Sequence, residues 1–230
     1  MTERHSGGGA RRRTLTWLAG LVALAGVVLV VVAVAAQERA PQPPRSVGRI
    51  EQPARSASPT GAAAVDVQPA TTHPLGPSRP VHLDIPAIDV HTDLIKLGLA
   101  EDGTLQVPQP GPNLDNAAWF ENSPAPGQPG PSIIEGHVDS VEGPSVFFRL
   151  GAIRPGDEVH VRRADGTRLT FTVNAVRDFK KAHFPTQLVY GDDHLGAPEL
   201  RLITCSDFDE SIHHHIGNEV VFAHLAHVRG

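Results

Sequence analysis

One cysteine, Cys205, is the whole thiol content of this 230-residue chain, which also holds one tyrosine, one methionine and two tryptophans. A single thiol excludes an intramolecular disulfide, and it excludes zinc ribbons and fingers, which need two to four cysteines. Aromatic residues make up only 5% of the chain, so a core must rest on Val, Leu and Ile with a few Phe. A concentrated basic face is missing too. Arg4, Arg11, Arg12 and Arg13 face only Glu3 in the first 13 residues, so the remainder is more acidic than the formal net charge of −5 suggests. Its bases are scattered, whereas phosphate backbones need a matching basic surface; nucleic acid is not expected as a partner. No EF-hand calcium loop is present.

Glycine and proline are abundant, at 22 and 21 residues, which a helical bundle does not tolerate. The uncharged run from Leu15 to Ala36 is long enough to cross the roughly 30 Å hydrocarbon core as a helix. Arg11-Arg12-Arg13 precede it, and positive charge stays cytoplasmic, so residues 1–13 are expected inside the cell and the body outside. Ala33-Val34-Ala35 resembles a signal-peptide cleavage site, but the run exceeds the ~7–15 residue core of such a signal, which favours a retained anchor over residues 14–36. Either way the body is exported. Residues 37–79 carry eight prolines among Ala, Ser, Thr and Arg without periodicity, a composition expected to be a disordered, semi-stiff linker.

From Pro80 to Gly230 the pattern becomes short alternating strands between Gly/Pro turns. Eight are predicted, over residues 81–85, 93–99, 104–107, 132–135, 157–163, 168–176, 199–204 and 219–226. Asp102-Gly103 and Asp165-Gly166 read as turns, the second as a hairpin. Helical turns are predicted at 117–122 and 145–150. The fold class is therefore all-β, a closed barrel of eight strands or a sandwich, since closure removes exposed edges.

Cys205 ends the apolar strand 199–205, just before the polar loop Ser206-Asp207-Phe208-Asp209-Glu210. A lone cysteine is commonly a small buried hydrophobe; it becomes a nucleophile when something favours its thiolate. Among 13 histidines, His137 in Ser132-Ile133-Ile134-Glu135-Gly136-His137-Val138-Asp139-Ser140 is the best partner. It too ends an apolar strand, and Gly136 permits close approach there. His213-His214-His215 reads first as a solvated loop and second as a substrate loop. Adjacent residues of a strand do not converge on one ion, so no metal site is assigned.

Leu202-Ile203-Thr204-Cys205 resembles the TLxTC strand end of the sortases, the cysteine transpeptidases of the Gram-positive cell surface, and Gly136-His137-Val138-Asp139-Ser140 resembles their histidine segment. Ile85-Pro86 with Ala87-Ile88-Asp89-Val90, Trp119-Phe120 ahead of Pro124-Ala125-Pro126-Gly127, and Val146-Phe147-Phe148 extend the likeness from about Pro80 to Val228. It is strongest to the class E and class F sortases of actinobacteria. The resemblance implies an eight-stranded sortase-type barrel, a catalytic pair of Cys205 and His137, and no cofactor. It also implies two kinds of partner: surface proteins bearing an LPxTG or LAxTG sorting signal, and an amine of a peptidoglycan precursor. By the same likeness Thr204 helps hold the signal peptide, and residues 181–190 shape the substrate groove.

The family carries an arginine on the strand after the cysteine; here no arginine occurs from Cys205 to Val228, and Asn218 falls at that place. An asparagine amide can donate to an oxyanion but lacks the charge. Arg201 shares strand parity with Cys205 but sits roughly 13 Å away along the strand. Two rivals stand beside the transpeptidase: a cysteine peptidase that uses water, and a sortase-like barrel that only binds.

Overall fold

The computed structural model describes residues 40–41, 47–48, 74–191 and 196–230. The expected cytoplasmic segment and membrane anchor, and most of the expected linker, lie outside them. Among the described residues no helix is long and apolar enough to cross a membrane.

In chain order the strands are β1 (Val47–Gly48), β2 (Pro80–Ile85), β3 (Val90–Leu97), β4 (Ala117–Phe120), β5 (Gly130–Glu135), β6 (Asp139–Ser140), β7 (Gly143–Pro144), β8 (Glu158–Arg163), β9 (Arg168–Lys180), β10 (Pro198–Asp209) and β11 (His214–Arg229). The main sheet runs β9-β11-β10-β5-β4-β3-β2-β8, and β8 pairs back onto β9, so eight strands close a barrel. Two neighbours, β3–β4 and β5–β10, are parallel. The Asp165-Gly166 hairpin forms as read: Gly166 takes φ +88°, and β8 and β9 pair outward from Arg162 and Arg168.

Strand alternation divides the apolar residues between two clusters. The larger fills the barrel with Leu83, Ile85, Val161, Phe171, Leu200, Leu202 and Val221. The smaller lies on the other face of β5, β10 and β11, with Ile133, Ile203, Val220 and Phe222 packed under Val189 of the short helix Thr186–Tyr190. Phe179, Phe184 and Tyr190 complete that cover, with neighbouring ring centroids 5.9 Å apart. The connection from β9 to β10 is thereby fastened across the sheet face that leads to Cys205.

Three predicted elements are corrected. Residues 117–122 were expected as a helical turn, but Ala117–Phe120 forms β4 between β3 and β5, with Ala117 and Ala118 fully buried. Pairing on both edges overrides the weak helical preference of Ala-Ala-Trp-Phe. Residues 104–107 form no strand; Leu105 makes a single bridge to Leu99. The helical turn expected at 145–150 consists of tight turns, and the 3-10 helix begins only at Leu150, over Leu150–Ala152.

Parts of the expected linker are tied to the barrel. Val47 and Gly48 pair with Val176 and Ala175 of β9. The Leu75 amide donates to the Gly127 carbonyl at 2.9 Å, and the buried Arg163 guanidinium donates to the Gly76 carbonyl at 2.6 Å.

Candidate active site

Parallel pairing sets β5 and β10 side by side with Glu135 opposite Ile203. Past that pair, toward the same end of the barrel, stand His137 two residues beyond Glu135 and Cys205 two beyond Ile203. The strand expected to stop at Cys205 runs on instead to Asp209, because Ser206, Phe208 and Asp209 keep pairing with β11. The Gly136 amide donates to the Ile203 carbonyl at 3.2 Å, and the Thr204 hydroxyl donates to the Gly136 carbonyl at 2.8 Å. These bonds lock the residue before His137 to the residues before Cys205. Gly136 is required here for space: a Cβ would come within 2.6 Å of Val146 Cγ1 and 2.8 Å of Phe147 Cδ2.

Asn218 lies directly across from Cys205 in the antiparallel β10–β11 register. By alternation both share the face of Ile203 and Val220. The structure therefore brings Cys205, His137 and Asn218 to one end of neighbouring strands. Cys205 is partly exposed, as is His137, so the thiol is not sealed within the barrel wall. Two residues on, Asp207 takes φ +53° between the Ser206–Gly217 and Phe208–His215 pairs, and the β10–β11 register continues unchanged past it.

Thr204 has a different place from the peptide-facing one expected. It is 5% exposed, it lies on the barrel side of β10, and its hydroxyl is spent on Gly136. His137 Nε2 sits 2.8 Å from the Pro108 carbonyl. A carbonyl only accepts, so Nε2 carries the proton in this contact and Nδ1 is the nitrogen free to take one.

The histidine run separates. His213, at φ +49°, and His214 are exposed at the β10–β11 turn. His215 reaches back, with Nε2 at 3.0 Å from Asp139 Oδ1 and its ring edge-on to Phe208 at 5.1 Å between centroids. It thus links the turn to the β6–β7 hairpin that follows His137. Among the described residues no three His, Cys, Asp or Glu side chains converge as metal ligands. Arg201 is buried, paired to Glu199 at 2.5 Å and stacked over Phe222 at 4.6 Å, so its charge is consumed four strand residues away from the thiol.

Two groups at this end were not singled out from sequence. Lys181 Nζ lies 3.6 Å from Cys205 Sγ. The contact joins residues 24 apart through a 3-10 turn, Lys181–His183, and nothing local to the lysine marks it. Glu135, on the face of Ile133, is 6% exposed, and burial pushes its carboxyl up to about 8. Its Oε1 has no hydrogen-bond partner, and its charge joins burial in pushing Tyr190 up to about 12. A carboxylate inside the apolar run Ile133-Ile134-Glu135 was the available signal. On the barrel side, Glu219 is likewise pushed up to about 8, by burial first and then by the charge of Asp178, which is itself hydrogen-bonded to Ser206.

Several solved sortases are similar to this chain at low identity. Sortase A from Corynebacterium diphtheriae matches with a TM-score of 0.49 and 21% identity, over 65% of this chain and 62% of its own. Sortase A of Listeria monocytogenes gives 0.48 and 17%, over 66% and 89%. Sortase C-1 from Actinomyces oris gives 0.49 and 20%, over 64% and 74%. The match thus spans a little under two thirds of the corynebacterial protein. No curated protein matches the chain. The family model described as "Sortase domain" matches residues 83–226, from β2 to within β11. That stretch contains both strand ends just described, and on it the chain belongs to the sortase family.

Proposed function

We propose that this chain is a membrane-anchored sortase of the class E/F type. It cleaves an LPxTG- or LAxTG-like sorting signal and transfers the surface protein to an amine of a peptidoglycan precursor. Residues 14–36 hold it in the membrane with the N-terminus cytoplasmic and the barrel outside. The observation that carries the reading is the register that sets Cys205 and His137 each two residues beyond the last pair of the parallel β5 and β10, with Asn218 opposite the thiol.

Chemically the arrangement splits one amide exchange into two steps. The Cys205 thiolate attacks the threonine carbonyl; a C–S bond forms and the carbonyl π pair moves onto oxygen. Asn218 donates a hydrogen bond to that oxyanion. Collapse breaks the C–N bond as His137 gives its proton to the departing glycine amine, leaving a thioester. The acceptor amine then attacks the thioester, passes a proton to His137, and expels the Cys205 thiolate. Histidine suits both transfers because its ordinary pKa lies near working pH. Thr204 acts as a positioning residue that holds the His137 segment, rather than as a contact to the peptide.

The test is incubation of the full-length chain with an LPxTG or LAxTG peptide and an amine, with Cys205→Ala as control. The expected result is a joined peptide–amine product and a thioester adduct on Cys205. Hydrolysis alone would make the protein a cysteine peptidase, and neither adduct nor turnover would make it a binding barrel; each overturns the proposal.

A further inference from the structure

The strand after the cysteine offers a neutral amide where the family has a cation, and the nearest arginine, Arg201, is committed to Glu199 and Phe222. Positive charge reaches the thiol from another direction. The end of β9 runs beside β11, with Phe179 opposite Asn218 and Lys180 opposite Gly217. Asn218 is in turn opposite Cys205. Two lysines therefore emerge one strand removed from the sulfur. Lys180 is paired to Asp207 at 2.6 Å, two residues past the thiol. Lys181 is turned to the thiol instead, 3.6 Å from Sγ.

We propose that Lys181 is a catalytic residue, the cation that holds the Cys205 thiolate and follows its negative charge onto the carbonyl oxygen. An ammonium at hydrogen-bond distance favours a thiolate by charge and by an N–H···S contact. As sulfur attacks, the charge it carried moves to the carbonyl oxygen, and the same ammonium, on a flexible four-carbon stem, shifts with it. Asn218 then supplies direction and Lys181 supplies charge, two parts that a single arginine combines. Lys180 and Asp207 support this division: the ion pair occupies the only other lysine at this strand end, and it keeps the Asp207 carboxylate off Lys181.

This inference rests on the transpeptidase reading for its catalytic meaning, so the experiment measures charge at the sulfur separately from turnover. Because Cys205 is the sole cysteine, alkylation reports on it alone. The full-length chain is alkylated with negatively charged iodoacetate and with neutral iodoacetamide, and the ratio of the two rates is compared across wild type, Lys181→Gln and Lys181→Arg. A cation beside the sulfur favours the anionic reagent. Lys181→Gln is expected to lower the ratio about three- to fivefold, as for an exposed charge interaction. It is also expected to lower kcat of peptide transfer about tenfold or more, with KM little changed. Lys181→Arg restores both. An unchanged ratio in Lys181→Gln, or Lys181→Arg behaving like Lys181→Gln, overturns the proposal. A wild-type chain without peptide transfer would instead sink the transpeptidase reading, and the alkylation ratio would still decide whether Lys181 charges the site.

Discussion

Along β2 and β3, His82, Asp84, His91 and Asp93 form a ladder in which each imidazole has its own carboxylate at 2.7 Å, His82 with Asp93 and His91 with Asp84. At the ends of β5 and β10 the same residue types are arranged otherwise. His137 meets a backbone carbonyl, Cys205 meets an ammonium, and the buried carboxyl of Glu135, two residues before His137, has an oxygen with no partner. The ladder satisfies its charges across an exposed strand pair, where such pairs add little to stability. The rim leaves one buried carboxylate oxygen without a partner, beside an apolar face covered by Phe184, Val189 and Tyr190. A buried carboxyl held at a cost to the fold, near a thiol and an imidazole, is a pattern that reactive sites share.

Exchanging alanine for histidine in the two places breaks the comparison most sharply. His137→Ala is expected to cut kcat about 10²- to 10⁴-fold, the usual range for losing a general acid–base group. His91→Ala is expected to leave turnover where it was. Steady-state kinetics beside thermal melts of both variants decide it: equal losses in turnover would mean the ladder and the rim do not differ in function.

A smaller effect concerns Glu135. Its carboxyl is raised from 4.5 to about 8 because burial disfavours the charged form. The folded state thus binds a proton that the unfolded state releases near 4.5. The stability this contributes is complete below that value and is lost as pH rises through about 8. Glu135→Gln removes the dependence. Relative to wild type, the variant should gain on the order of 1 kcal/mol per pH unit between about pH 5 and 8. Parallel stability curves for the two proteins across that range would show that the carboxyl is not buried as described. Glu219, raised to about 8 by its own burial, leaves a residual slope in the variant.

How much of this was legible can be read from particular residues. Seven of the eight barrel strands follow from apolar runs or alternation between turn residues: β2, β3, β8 and β9 alternate between core and solvent, while β5 and β10 are apolar on both faces under the second cluster. The count of eight came out right with one member wrong. Residues 104–107 alternate but find only a single bridge at Leu105, while β4 is buried on both edges and shows no alternation to read. Cys205 and His137 were visible because each ends an apolar run, although β10 itself continues to Asp209, and Asn218 because counting back along β11 from Val220 places it. Lys181 was not, since its partner is set by the registers of β9 on β11 and of β11 on β10, neither of which is written in its neighbourhood. Thr204 was placed on the peptide side by likeness alone; the parity of β10 turns it inward.

The least effect is expected at the ladder, and its pH signature is its test. Burial alone would raise Asp84, but the hydrogen bond from His91 and the charges of His82 and His91 outweigh it and bring the carboxyl below 3.8. His91 is raised above 6.5, chiefly by its hydrogen bond to Asp84. The aspartate's share of stability is present above 3.8 and lost as pH falls through its lowered value. The histidine's share is present below 6.5 and lost as pH rises through its raised value. Both are charged in the window between. Asp84→Asn should therefore lower the melting temperature slightly near pH 5, less than Glu135→Gln changes it near pH 8, and the deficit should fade above neutrality. Salt should shrink it as well, because exposed pairs are screened within about 8 Å at physiological ionic strength. A deficit that persists unchanged at pH 9 or in high salt would mean that Asp84 is held by packing rather than by its histidines, and the ladder would then be a different kind of structure from the one contrasted with the rim.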